Sequence, residues 1–139
     1  MGEEGTIRLK ILTPDANCLE EEVSGVMVPG EEGYFGVLPG HIPLFSRVKP
    51  GRLTYWMGKS IRHFAVGGGY AEVLPNAVTI FVDVAEPGER IDRKRAELEL
   101  HRAEEILLRE KDEEKRRRAE YSRAKALARL EVAKLVKGG

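Results

Sequence analysis

The sequence predicts an α+β chain with a β-rich part first and a pair of helices second. Three observations carry this reading. All seven prolines lie at or before Pro87, and no glycine occurs between Gly88 and the terminal Gly138-Gly139 pair. Eight of the nine aromatic residues lie at or before Phe81, leaving only Tyr121 beyond it. The spacing of apolar residues changes from alternation in the first part to helical periodicity in the second.

The elements follow in order. In "TIRLKIL", Ile7, Leu9 and Ile11 alternate with Arg8 and Lys10, the pattern of a half-buried strand. "EVSGVMVPG", "YFGVLPG", "IPLFSRVKPG", "RLTYWMG", "SIRHFAVGGG", "YAEVLP" and "AVTIFVDV" come next at short spacing, each closed by Gly, Pro or the start of a turn. Many short strands with frequent turn signals indicate an antiparallel sandwich or barrel. A nucleotide-binding α/β fold would need helices between the strands.

The second part reads as two helices, at about 92–110 and 113–136. Ala96, Leu100, Ala103 and Leu107 form one apolar stripe, and Ala126, Leu127, Leu130 and Ala133 form another. The apolar-free run between Leu108 and Ala119 holds the turn, near Lys111-Asp112. Asp92 is placed to cap the first helix. Asp112, Glu113 and Glu114 favour the start of the second. The stripes are thin and rich in alanine, so the antiparallel hairpin is expected to be marginal alone and able to change partners. The division falls between a β-rich unit at 1–86 and a helical unit at 87–139.

Equal numbers of acidic and basic residues hide an uneven distribution. Residues 1–86 carry a balance of −4 and residues 87–139 of +4, and from Lys115 onward it is +7. An acidic partner for the last helix is the implication. The single cysteine, Cys18, excludes a disulfide framework within the chain and reads as a small buried hydrophobe. The N-terminal "MGEEGTIRLK" lacks the features of a signal peptide, and no apolar run reaches the length of a membrane span. A soluble protein of a reducing compartment is expected.

No catalytic or metal constellation emerges. His41, His63 and His101 are scattered. "GGGY" at 67–70 is followed by neither a helix nor Gly-Lys-Ser/Thr, so it reads as a bulge or a close strand approach and not as a phosphate loop. "KRRR" at 115–118 lacks interleaved aromatics and reads as a solvated helix face. An enzyme on a β-sandwich is therefore disfavoured. A stand-alone nucleotide sensor or nucleic-acid module using the basic helix is the alternative class.

Taken together, "GVLPGHIPL" at 36–44, "KPG" at 49–51, "GGGYAEVLPNAVTIFVDVAE" and "IDRKRAELELHRAEE" resemble the epsilon subunit of bacterial F-type ATP synthase over essentially the whole chain. Chloroplast epsilon and mitochondrial delta subunits are relatives. The resemblance implies a ten-stranded antiparallel β-sandwich followed by an antiparallel two-helix hairpin. It implies a non-catalytic rotor subunit, peripheral on the cytoplasmic face of the bacterial membrane, with no required cofactor. Its implied partners are the gamma subunit, the c-subunit ring and, in an inhibited state, beta and alpha. The helices would permit rotation when folded down and inhibit ATP hydrolysis when extended. Basic residues of the second helix, here Arg116, Arg117, Arg118, Arg123, Lys125 and Arg129, would then meet an acidic segment of beta. Glu31, Glu32, Tyr34 and His41 fall in the segment facing the c ring and gamma, with Tyr34 where relatives often carry an acid.

Some relatives bind one ATP as a regulatory ligand in the down state. Carried over, that site is Glu86, Ile91, Asp92, Arg95, Ala96, Arg102, Lys125 and Arg129, with lysine at 125 where those relatives have arginine. Arg95 and Arg102 share a helix face. Glu99, four after Arg95 and three before Arg102, is placed to pair with both and to obstruct an incoming anion.

Overall fold

In the computed structural model, which describes residues 5–137, ten strands precede two helices. The strands are β1 (Ile7–Leu12), β2 (Asn17–Val23), β3 (Gly25–Gly30), β4 (Gly33–Val37), β5 (Leu44–Val48), β6 (Gly51–Met57), β7 (Ser60–Val66), β8 (Gly69–Leu74), β9 (Ala77–Val82) and β10 (Ala85–Pro87). A single 3-10 turn, Gly88–Arg90, leads into α1 (Arg93–Arg109), and α2 spans Glu113–Lys137. The Gly138-Gly139 pair lies outside the described residues.

The strands are ordered β10-β7-β6-β3-β5-β8-β9-β1-β2, with β4 added beside β3. Between β3 and β5 the register reduces to one pair, Gly30 with Val48. There the sheet folds over on itself, and its two halves enclose one core. Ile7, Leu9 and Ile11 of β1 meet Val26, Val28, Leu53, Val73, Val78 and Ile80 in it. The outward residues of β1 are charged. Arg8 pairs with Glu20 at 3.2 Å and Glu22 at 3.1 Å on β2. Charges on this edge strand discourage pairing with another chain.

One pair departs from the antiparallel expectation. β1 lies parallel to β9, from Arg8–Ala77 to Leu12–Phe81. Nearly the whole sandwich separates these strands in sequence, and a parallel pair needs such a long crossover.

The helices begin and end where their side chains can satisfy the free backbone groups. Asp92 caps α1 by accepting from the Arg95 amide at 3.1 Å. Asp112 does the same for α2 through the Lys115 amide at 3.0 Å. Arg116 closes the C-terminal end of α1, donating to the Leu107 carbonyl at 2.8 Å and the Glu110 carbonyl at 3.0 Å.

The stripe expected on α2 is corrected in part. Ala126 and Ala133 are buried, but Leu127 is 40 % exposed, and Ala128 and Val132 are buried instead. The reason is that α2 has two neighbours. Besides packing along α1, it seats Ala128, Val132, Ala133 and Val136 against Ala65 of β7 and Ile91. Leu127 is rotated about 100° from each sequence neighbour and points away from this contact.

Candidate functional site

A cleft of about 870 Å³ opens between the edge of the sandwich and the groove of the hairpin. The sandwich supplies Ala65, Val66, Val84 and Glu86. Residues spaced along one face of α1, from Arg95 through Glu99 and Arg102 to Ile106, with Glu110 just past its end, form a second wall. The facing side of α2, from Lys115 through Arg118, Ser122 and Lys125 to Arg129, forms the third. The volume falls in the range of small-molecule sites.

Five of the eight residues expected around a nucleotide line this cleft: Glu86, Arg95, Arg102, Lys125 and Arg129. The other three do not. Ile91 and Ala96 are buried in packing contacts, and Asp92 serves as the helix cap.

Ion pairs inside the cleft differ from the expected ones. Arg129 donates through Nε to Glu86 at 2.9 Å and through Nη1 to Glu99 at 2.5 Å. It thereby ties the last strand, α1 and α2 together. Glu99 also meets Arg95 Nε at 3.3 Å. It does not pair with Arg102, as the sequence spacing alone allowed. Among the described residues, no carboxylate lies within 4.0 Å of the Arg102 or Lys115 side-chain nitrogens. The cleft is thus neutralised near the last strand and carries unpaired cations nearer the helical turn.

Three residues that the sequence reading did not connect form a second contact at the seam. Tyr121 donates its hydroxyl proton to Asp83 at 2.7 Å and accepts from the Gly68 amide at 2.7 Å. Burial first, and then the bond to Asp83, push the Tyr121 phenol up to about 12. Lys125 sits over the Tyr121 ring, 4.7 Å from its centroid, and 3.9 Å from Asp83. A Cβ on Gly68 would lie 3.0 Å from the Tyr121 oxygen, and one on Gly69 would overlap the Phe81 carbonyl oxygen of β9, so the glycine run admits a helix side chain at one position and a neighbouring strand at the next. Tyr121 was visible as the lone aromatic of the helical half, but its partners lie far away in sequence.

Further along the seam, Arg52 of β6 donates to Glu131 of α2 at 2.6 Å, and its guanidinium covers the ring of Tyr34. The Tyr34 hydroxyl accepts from the Arg52 amide at 3.1 Å. His63, hydrogen-bonded to Thr54 at 2.9 Å, lies beside this group. Burial and then the Arg52 charge push its imidazole below the usual range.

The four residues expected at the c-ring and gamma face do not form one cluster. Glu31 and Glu32 lie at the turn between β3 and β4, with Glu31 paired loosely to Arg47 at 3.7 Å. Tyr34 is at the start of β4, and His41 lies beyond its other end, with Nδ1 2.7 Å from the Ile42 carbonyl oxygen. The loop around His41 is the more apolar end. It exposes Leu38, Ile42, Leu44 and Phe45, and Phe45 stacks on Tyr70 at 5.5 Å between centroids.

Each basic residue expected to meet beta has an internal partner in this arrangement. Arg117 and Arg118 pair with Glu114, at 2.9 and 3.6 Å, and Arg123 pairs with Glu104 at 3.5 Å. Arg116 is engaged with the end of α1, and Lys125 and Arg129 with the sandwich edge.

Comparison with known proteins bears on this architecture. Residues 6–88 match the family described as "ATP synthase, Delta/Epsilon chain, beta-sandwich domain". The chain is 47 % identical over 127 residues to an ATP synthase epsilon chain of Syntrophobacter fumaroxidans, covering 91 % of this chain and 95 % of that one. It is 40 % identical over 130 residues to one from Desulfitobacterium hafniense, covering 94 % and 98 %. Among solved structures, it superposes with a TM-score of 0.81 and 27 % identity on a chain of the Euglena gracilis mitochondrial ATP synthase, OSCP/F1/c-ring in rotational state 1, covering 96 % of this chain and 84 % of that one.

Proposed function

The chain belongs to the ATP synthase epsilon-chain family, and from that premise we propose that its sandwich holds gamma and the c ring while its hairpin regulates ATP hydrolysis. In this reading the subunit sits peripherally at the cytoplasmic face of the membrane and has no active site of its own. The exposed apolar loop around Ile42 and Phe45 suits a partner protein better than water. It is the end assigned to gamma and the c ring.

The observation that carries the regulatory part is the nature of the hairpin contact. α2 is held on the sandwich by ion pairs and hydrogen bonds through Arg129, Tyr121 and Arg52, with only a small apolar cluster beneath. Ion pairs of this sort exchange readily for equivalent ones elsewhere. When α2 leaves, Arg129 loses Glu86 and Glu99 and Arg123 loses Glu104, while Arg117 and Arg118 keep only Glu114 of their own helix, and this basic face becomes available to an acidic segment of beta. The two arrangements need differ by only a few kcal/mol to be switched.

Hydrolysis by a reconstituted alpha–beta–gamma complex tests this. Adding the native subunit should lower the rate. The R117A/R118A/R123A variant, whose substitutions spare every contact with the sandwich, should bind equally well but inhibit less. Equal inhibition by both proteins would sink the role assigned to the basic helix.

A second reading, for a ligand bound between the hairpin and the sandwich, is favoured by the cleft itself. Six cations line it against three carboxylates, Glu86, Glu99 and Glu110. A nucleoside triphosphate such as ATP matches its size and sign. Calorimetric titration with ATP and ADP, repeated on Arg102→Ala, tests this reading. Saturable binding that weakens in the variant supports it, and no heat up to millimolar ATP, either with Glu99 present or with it neutralised as Glu99→Gln, removes it.

A further inference from the structure

The cleft already contains an anion. Glu99 projects from α1 between Arg95 of its own helix and Arg129 of the opposite one. One oxygen faces each arginine: Oε2 lies 3.3 Å from Arg95 Nε, and Oε1 accepts from Arg129 Nη1. Arg129 is engaged on a second side by Glu86, and its side chain is only 18 % exposed. A guanidinium has a fixed fork of donors, and two of the edges of this one are occupied. An incoming phosphate therefore cannot take either bidentate fork of Arg129 without displacing a carboxylate. Arg102 and Lys115 on the same cleft have no such carboxylate.

Crosslinking arginines from two helices is what a bound phosphate would do to close the hairpin. Here a tethered carboxylate does it, at an effective concentration set by the helix that carries it.

We propose that Glu99 is a built-in competitor for the phosphate end of a nucleoside triphosphate. It occupies the place between Arg95 and Arg129, holds the hairpin closed without ligand, and makes the closed state insensitive to nucleotide. The inference rests on reading the cleft as a nucleotide site. A ligand shifts a conformational equilibrium only by its differential affinity for the two states. If an internal anion has already made the closing contacts, the nucleotide has little left to add. Replacing the carboxylate by a neutral group of the same shape should restore the dependence. In Glu99→Gln, the closed hairpin would lack one crosslink until a phosphate supplied it.

The test uses the full chain and two readouts. Calorimetry compares ATP, adenosine and inorganic tripolyphosphate on the native protein and on Glu99→Gln. Hydrogen exchange follows the α2 amides between Ala119 and Val132 with and without ATP. The expected result is ATP binding about tenfold tighter in Glu99→Gln, the worth of one charge-assisted hydrogen bond no longer displaced. Adenosine should not gain. In the variant, the α2 amides should exchange faster without ATP and regain protection with it, and in the native protein ATP should change them little. A parallel gain for tripolyphosphate assigns the competition to phosphate charge alone. A gain for ATP without one assigns it to the triphosphate in its nucleotide setting, and either result supports the proposal. Glu99→Asp keeps the charge but shortens its reach, and should fall between the two proteins. Circular dichroism verifies that each variant retains its helices.

Equal ATP affinity in native protein and Glu99→Gln overturns the proposal while leaving the nucleotide site standing. An equal gain for adenosine overturns it as well, because the competition would not be with phosphate. Absence of binding in both proteins, for both phosphate compounds, removes the nucleotide reading and this inference together.

Discussion

The core of the sandwich and the seam beneath the hairpin bury their residues by opposite means. Inside the sandwich, β-branched and leucine side chains from both sheet halves close over one another, and among the described residues no buried polar or charged side chain interrupts them. At the seam, four small or medium apolar residues of α2 meet Ala65 and Ile91, and around them stand an arginine bridge, a tyrosine and the cross-seam ion pairs Arg52–Glu131 and Lys125–Asp83. Burying apolar area is non-directional and strong, and it opposes any opening. Exchanging one set of hydrogen-bonded partners for another costs little net free energy. The difference bears on the proposed movement: opening the first region would expose a continuous apolar core, whereas parting the second would expose only a small apolar cluster.

The most direct way to break this comparison is to weaken the fixed region. Leu53→Ala removes a fully buried side chain and should cost about 2–5 kcal/mol of global stability. Denaturant unfolding followed by circular dichroism would measure it. If the loss appeared only in the helical signal, the two regions would not differ as described.

Removing the arginine bridge comes next. Arg129→Ala leaves Glu86 and Glu99 without their shared cation, and should weaken hairpin docking by about 1–3 kcal/mol. Native-state hydrogen exchange should show faster α2 amides with unchanged amides in β1 and β9. Matching acceleration in the strands would mean that the sandwich depends on the bridge.

Tyr121→Phe sharpens the same contrast with a smaller change. It removes two hydrogen bonds and keeps the ring, for an expected loss of about 1 kcal/mol confined to the seam. In the native protein, the phenol is held at about 12 against 10.0 when free. Because the folded state keeps this proton longer, the associated stability is complete below pH 10 and is lost as the pH rises toward 12. Ultraviolet titration should show one late tyrosine that is absent from the variant.

The smallest effect concerns His63. Its imidazole is lowered from 6.5 by burial and by Arg52. The unfolded chain therefore binds the proton first. The stability is complete above pH 6.5 and falls as the pH drops below it. His63→Gln should flatten the slope of stability against pH in this window. An unchanged slope would place the titrating group elsewhere.

What the sequence disclosed follows from the range of each interaction. The inward set of β1 and the Asp92 cap depend on neighbours within a few residues, and both were legible. Glu99 was legible as a helix-face carboxylate beside Arg95. Its second partner was not, because choosing Arg129 over Arg102 depends on how α2 slides along α1. The Tyr121–Asp83 bond spans 38 residues and the Tyr121–Gly68 bond 53, and no local pattern encodes either. Leu127 was misplaced because a single stripe was assumed for a helix that touches two neighbours. Of the expected nucleotide residues, Ile91 and Ala96 are the ones whose side chains the packing uses.

The parallel pairing of β1 with β9 has a consequence for how the chain is made. During synthesis, β1 lacks one of its two neighbours until residues 77–82 have followed it. Pairings so distant in sequence form slowly, and until then an apolar strand waits half-covered. The β1–β2 hairpin, with three consecutive glutamates at 20–22 on its outer strand, is charged where that wait would otherwise invite association with a neighbouring chain. The helices follow all ten strands in the chain, so every strand they dock on has been made before them.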